Sequence, residues 1–168
     1  HAALTFVPRG EFVRDTFASH HWQCPNTWVR VVLDTDVVVA AMRSPSGASA
    51  GLLSAALERN VTLLANVALV LEYESVCART EHMAAAGISV KELGIFLDAI
   101  AVLVEPVESH FVWRPQLRDP ADEMVLEAAV NGGADAIVTF NRRDFGPAPA
   151  RFGIRVLLPF DALRRLQR

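Results

Sequence analysis

The chain has 168 residues, 52% of them hydrophobic, and a formal net charge of -3. That length and apolar content suit one ordinary domain with a real core. The slight negative charge excludes global electrostatic capture of nucleic acid, so a polyanionic ligand would need a local basic patch or a bound metal. Two cysteines, Cys24 and Cys77, are too few for a disulfide framework and form no C-x-x-C pair, which predicts a reducing, cytoplasmic setting. No apolar run reaches the roughly 18 residues of a membrane span. Of the 16 basic residues only Lys91 is lysine; the arginines suit bidentate phosphate binding, and compositional bias explains them equally well.

Residues 1–29 mix isolated aromatics, prolines and charges without a sustained period of two or 3.6, and read as an accessory arm preceding a domain over 30–168. Phe12, Phe17, Trp22 and Trp28 are expected to pack this arm onto the domain or a partner. The cluster His20-His21-Trp22-Gln23-Cys24 lacks the second ligand pair of a tetrahedral metal site.

Strand and helix signals alternate from Val31 onward. The run Val31-Val32-Leu33-Asp34-Thr35-Asp36 predicts a central strand ending in two carboxylates, followed by a loop from Met42 to Gly47. A helix over about 48–59, a strand Val61 to Ala65 and a helix over about 67–79 come next. Ser89-Val90-Lys91-Glu92 is a capping-box pattern opening a helix to about Ile100, with a strand at Ala101 to Val104. Asp119 is the expected N-cap of a helix with Pro120 at its first position, stopping at Asn131-Gly132-Gly133. Strands at Ala136–Thr139 and Ile154–Leu158 and a short amphipathic helix, Phe160 to Leu166, close the chain. Such alternation predicts an α/β fold, a three-layer α/β/α sandwich around a mainly parallel sheet.

Ligands of such sheets bind beyond the carboxyl ends of the strands. Asp34 and the segment Thr139-Phe140-Asn141-Arg142-Arg143-Asp144 both follow strands. Glu72 and Asp122 fall near helix starts, which face the same edge, and their apolar neighbours Leu69, Leu71, Val76, Met124, Val125 and Ala128 predict partial burial. Capping of a turn is the competing reading of Asp34 and Asp36. Carboxylates gathered in a low-dielectric crevice repel one another unless a cation neutralises them. Oxygen-only ligands suit Mg²⁺ or Mn²⁺, which points to phosphodiester chemistry. No G-x-x-x-x-G-K, G-x-G-x-x-G or G-x-S-x-G pattern supports another enzyme class, and His82 and His110 stand alone and read as surface residues.

The segments Leu-Asp34-Thr-Asp-Val-Val-Val-Ala, Leu-Glu72-Tyr-Glu, Arg-Asp119-Pro-Ala-Asp122-Glu and Ile-Val-Thr139-Phe-Asn141-Arg-Arg-Asp144-Phe resemble, in order and spacing, those of PIN-domain nucleases over about Val31 to Phe160. Asn141 between Thr139 and Asp144 resembles the VapC-like toxin components of bacterial toxin-antitoxin pairs. The resemblance implies a metal-dependent ribonuclease with Asp34, Glu72, Asp122 and Asp144 as metal-binding acids and with Thr139 and Asn141 in support. Asp119 is a neighbouring acid, and Asp36 stands where the family usually has asparagine. The implied cofactor is Mg²⁺ or Mn²⁺, and the implied partners are an RNA substrate, a cognate antitoxin protein and a second copy of the chain. Arg43, Arg142 and Arg143 border the inferred crevice, either as RNA-backbone contacts or as solvated loop charges. A catalytically weak PIN-like binding module is the rival expectation.

Overall fold

The computed structural model describes residues 29–110, 116–117 and 119–166. Five parallel strands form one sheet in the order β3-β2-β1-β4-β5: β1 (Val29–Leu33), β2 (Val61–Ala65), β3 (Val104–Pro106), β4 (Ala136–Val138) and β5 (Arg155–Leu157). Every pairing is parallel, so the sheet expected to be mainly parallel is wholly so among the described residues. Eight described helices connect or flank the strands: α1 (Thr35–Arg43), α2 (Ala48–Leu57), α3 (Val67–Cys77), α4 (Thr80–Ala86), α5 (Val90–Leu103), α6 (Glu123–Asn131), α7 (Arg142–Phe145) and α8 (Pro159–Leu166). A short 3-10 helix, Pro149–Phe152, precedes β5. The architecture is the expected α/β/α type.

The strand order explains where a site can form. From β1 the chain moves outward through β2 to β3, then returns to the other side of β1 for β4 and β5. The carboxyl ends of β1 and β4 therefore flank the point where the order reverses, which is where open parallel sheets bind ligands. β1 is buried along Val31, Val32 and Leu33, and β4 along Ala136, Ile137 and Val138. Apolar residues on both faces are what a sheet covered on both sides requires.

Several boundaries differ from the sequence expectation. β1 starts at Val29 and ends at Leu33, so Asp36 lies in the first turn of a helix and not on a strand. Val37, Val38 and Val39 look like continuing strand because they are β-branched, yet all three are buried on α1. Asp34 caps that helix, its side chain accepting from the Thr35 N–H at 2.7 Å, and α1 takes in residues 35–36 of the expected strand and 42–43 of the expected loop. Helix α5 runs to Leu103, displacing the strand expected at Ala101–Val104 to Val104–Pro106. Its capping box is formed as expected between Ser89 and Glu92. Helix α6 begins at Glu123, with Asp122 rather than Asp119 at its N-cap. Asp119 instead closes its own small turn, accepting from the Ala121 N–H at 2.9 Å. Of the arm expected at 1–29, residues 1–28, with Cys24 and the His20–Cys24 cluster, lie outside the described residues. Cys77 is buried as a free thiol.

Candidate active site

The cleft grows out of two short connections. At the end of β1, the Asp34 N–H donates to the Val138 carbonyl at 2.9 Å, continuing the β1–β4 ladder by one bond and fixing the Asp34 backbone. Its carboxylate is held at both oxygens: Oδ1 accepts from the Thr35 N–H, and Oδ2 accepts from the Thr139 hydroxyl at 2.7 Å. Thr139 follows β4 and is fully buried. Its hydroxyl oxygen also accepts the Asn141 N–H at 2.9 Å. One threonine thus ties the end of β1 to the turn that carries Asn141 and Asp144. The Asn141 amide in turn donates to the Asp144 carboxylate.

Asp36 leans on the same turn. Its Oδ2 accepts from the Phe140 N–H at 3.1 Å, with the Thr139 hydroxyl a more distant 3.4 Å away. Its Oδ1 is buried and has no hydrogen-bond partner. Burial without a partner is costly for a carboxylate oxygen, so this atom is the clearest point of unmet chemistry in the site.

Glu72 and Asp122 arrive from the other side on α3 and α6, and the two helices are joined by Asn66. The Asn66 side chain caps α3 by accepting from the Leu69 N–H at 2.9 Å and donates to the Met124 carbonyl of α6 at 3.1 Å. The segment entering α6 is held by the buried Glu123, whose Oε1 accepts from the Gln116 N–H at 2.6 Å and the Leu117 N–H at 2.8 Å. Tyr73, next to Glu72 and buried, donates its hydroxyl to the Leu33 carbonyl one residue before Asp34. The burial expected around Glu72 holds for Leu69 and Val76 but not for Leu71, which is 57% exposed and points away from the core. Glu72 itself is half-buried.

These elements enclose a cleft of about 580 Å³ lined by Asp34, Asp36, Glu72, Asp119, Asp122 and Asp144, with Asn141 and Phe140 at one side and Arg43, Arg79 and His82 at another. All six acids singled out in the sequence therefore face one space. Two expectations need correction. Arg142 and Arg143 line a second cavity beside β5, while Asp144 on the same short helix α7 faces the cleft. His82, read as an ordinary surface residue, lies in the cleft wall, carried there with Arg79 at the start of α4. No periodic pattern signalled that short helix, and nothing in the sequence pointed to Arg79.

The electrostatics register the crowding. Burial raises the Asp34 carboxyl above its ordinary value, the Thr139 and Thr35 hydrogen bonds oppose this, and the Asp144 charge adds to it. Asp36 is pushed up to about 6, first by burial and then by Asp34. Asp122 also rises to about 6, through burial and the combined charges of Asp34, Asp119, Asp144 and Asp36. Acids from three chain segments, 34–36, 119–122 and 144, thus act on one another across the cleft, which is the behaviour of a site built to receive positive charge. Oxygen donors of this kind suit a hard divalent cation, and the orphaned Asp36 Oδ1 fits such a partner. Among the described residues, however, no three or more His, Cys, Asp or Glu side chains stand at the mutual spacing that grips a single ion.

A PIN-domain family model matches residues 30–143, which is more than half of the chain and runs from β1 into α7. The chain belongs to the PIN-domain family. PIN domains are generally nucleases that act on nucleic acid with the help of divalent metal ions. No curated protein matches the chain. No described helix of the PIN domain is long and apolar enough to cross a membrane.

Proposed function

We propose that this PIN domain is a metal-dependent endoribonuclease acting as the toxin of a toxin-antitoxin pair in the cytoplasm. The observation that carries the nuclease reading is the convergence of Asp34, Glu72, Asp122 and Asp144 on one cleft at the point of strand-order reversal. These four acids would hold the ion, with Asp36 Oδ1 as an additional donor. A bound Mg²⁺ or Mn²⁺ supplies a water of lowered pKa and stabilises charge on the phosphate oxygens.

The chain's own residues do the rest. Thr139 and the Thr35 N–H hold Asp34 in one orientation, so a donor oxygen is preset and does not have to be ordered on binding. Asn141 does the same for Asp144. Arg43 and Arg79 stand on the cleft wall, where a guanidinium pairs with a phosphodiester oxygen in two-point geometry. No protein nucleophile is required, because water attacks the phosphorus directly. The toxin assignment rests on the resemblance around Asn141, and an antitoxin protein is its implied partner. Homodimerisation belongs to the same reading: α3 and α5 pack together and leave Val67, Leu71, Val90 and Ile95 more than half exposed, an apolar surface suited to a second copy. Light scattering at micromolar concentration tests it, and a monomer there refutes it.

The spacing of the carboxylates favours a second reading, a PIN-like binding module with weak catalysis, since no three or more of the described acids stand at the mutual spacing that grips one ion. The test is incubation of purified protein with a mixed RNA pool in Mg²⁺, Mn²⁺ or EDTA, alongside Asp34→Asn to exclude a contaminating ribonuclease. Metal-dependent cutting lost in the variant supports the nuclease. Intact RNA under every condition with folded protein selects the binding module.

A further inference from the structure

On the far side of the Phe140–Asn141 turn lies a second cavity of about 800 Å³, lined by Arg142, Arg143 and Arg155 as well as Ile154, Val156 and Leu158. Among the described residues its lining contains no acidic side chain, in contrast to the neighbouring cleft. The two spaces share Phe140 and Asn141. Phe140 is 53% exposed although its backbone is pinned by Asp36, so an aromatic ring stands on a fixed support at the boundary between the acids and the arginines. Arg142 and Arg143 are exposed, and neither makes an ion pair among the described residues. Arg155 is half-buried beside Arg165, and burial together with that like charge lowers its pKa. The cavity's size falls within the roughly 300–1,000 Å³ typical of sites that enclose a whole small molecule or one unit of a polymer.

We propose that this cavity is the strand-binding groove of the PIN domain, in which Phe140 stacks on an unpaired base next to the cleft while Arg142 and Arg143 bind the following phosphates of a single-stranded nucleic acid. This rests on the nuclease reading of the adjacent cleft and narrows it to single strands. Charge complementarity carries the choice of occupant. A strand leaving an acidic, cation-dependent centre meets arginines immediately beyond it, and base stacking on an exposed ring takes a base that is not paired. A duplex keeps its bases stacked on one another and leaves the ring unused.

The test is fluorescence anisotropy with labelled oligonucleotides of about 10 nucleotides, a length within the ~4–16 nucleotides of known single-strand sites. Binding is measured in EDTA so that it is independent of cleavage. The wild type is expected to prefer the single strand to a duplex of the same length. Phe140→Ala should weaken single-strand binding by roughly 5- to 150-fold, the range for loss of one stacked base, with little change in salt dependence, and Phe140→Trp should restore it. The double variant Arg142→Ala/Arg143→Ala should flatten the slope of log affinity against log salt by about 1.4, at ~0.7 for each lost phosphate contact. Lys91→Ala, outside both cavities, controls for net charge, and thermal melts control for folding. Unchanged binding in both groove variants, or preference for the duplex, overturns the proposal. So does poly-glutamate binding that these variants weaken while single-strand binding stays intact, which would assign the groove to an acidic protein segment. If the groove variants behave as expected and no metal-dependent cleavage occurs, the groove stands and the nuclease reading falls. Cleavage by a protein whose groove variants bind normally gives the reverse.

Discussion

Asp36→Asn is expected to stabilise the apo protein, and by an amount that depends on pH in a specific way. Folding raises this carboxyl from its ordinary 3.8 to about 6 through burial and the Asp34 charge. Because the folded state holds the proton more tightly than the unfolded state, the aspartate is most favourable at low pH, and stability is lost as pH rises from about 4 through about 6. At 1.36 kcal/mol per pH unit the full difference corresponds to about 3 kcal/mol above pH 7. Asp36 is only partly buried, and solvent screening cuts this to roughly 1–1.5 kcal/mol. Asparagine keeps an acceptor for the Phe140 N–H, places a neutral amide where the partnerless Oδ1 now stands, and removes the repulsion with Asp34. For a domain of this size the gain converts to a rise in Tm of about 2–6 °C. Thermal melts in EDTA at pH 4, 5, 6 and 7.5 provide the assay. The difference should be near zero at pH 4 and reach its full value above pH 7. A variant less stable than wild type at pH 7.5, or a gain that persists undiminished at pH 4, would refute the reasoning.

Mg²⁺ or Mn²⁺ should raise the Tm of the wild type, by about 2.7 kcal/mol of stability at a hundredfold excess over Kd. Asp34→Asn and Asp122→Asn should lose that response together with at least 100-fold in RNA cleavage while still melting cooperatively; equal metal shifts in all three proteins would exclude this cleft as the ion site. Tyr73→Phe removes the hydroxyl that satisfies the buried Leu33 carbonyl and should cost about 1–3 kcal/mol, seen as a lower midpoint in urea; an unchanged midpoint would show that the carbonyl finds another donor. Gly132→Ala should destabilise by more than ~1 kcal/mol, because a Cβ there meets the Ala128 carbonyl oxygen and Val107 Cγ2 at 2.8 Å, and a neutral result in the same titration would show that the end of α6 relaxes freely.

Much of this was legible in the sequence where one local signal and the tertiary environment agree. The Ser89 capping box and the apolar cores of β1 and β2 are such cases. Where two signals competed, the sequence misled. Val37-Val38-Val39 carries strand propensity, but Asp34 caps the backbone into a helix and burial of all three valines keeps it there. Pro120 looked like the first residue of a helix that starts at Glu123, since the carboxylate of Asp119 closes a tight turn first. Asp34 stood out because aspartate after a buried apolar strand is costly and therefore conspicuous, while Glu72, Asp122 and Asp144 were singled out as a set through the resemblance to PIN-domain nucleases. Arg79 and His82 were not, because each is unremarkable alone and only the turn into α4 brings them to the wall. The direction of Arg142 and Arg143 depended on the backbone path at Asn141, which no residue pattern encodes.

The Thr139–Asp34 hydrogen bond joins residues 105 positions apart, and that separation has a consequence for biosynthesis. At ~5–20 residues per second, roughly 5–20 s pass between the emergence of the two partners from a ribosome. Until then Asp34 has no hydroxyl to orient it, and β1 has no neighbour on its β4 side. A chain truncated before β4 can present Asp34, Glu72 and Asp122 but no assembled cleft. The cleft is complete only once about the last fifth of the polypeptide, from β4 onward, has been made.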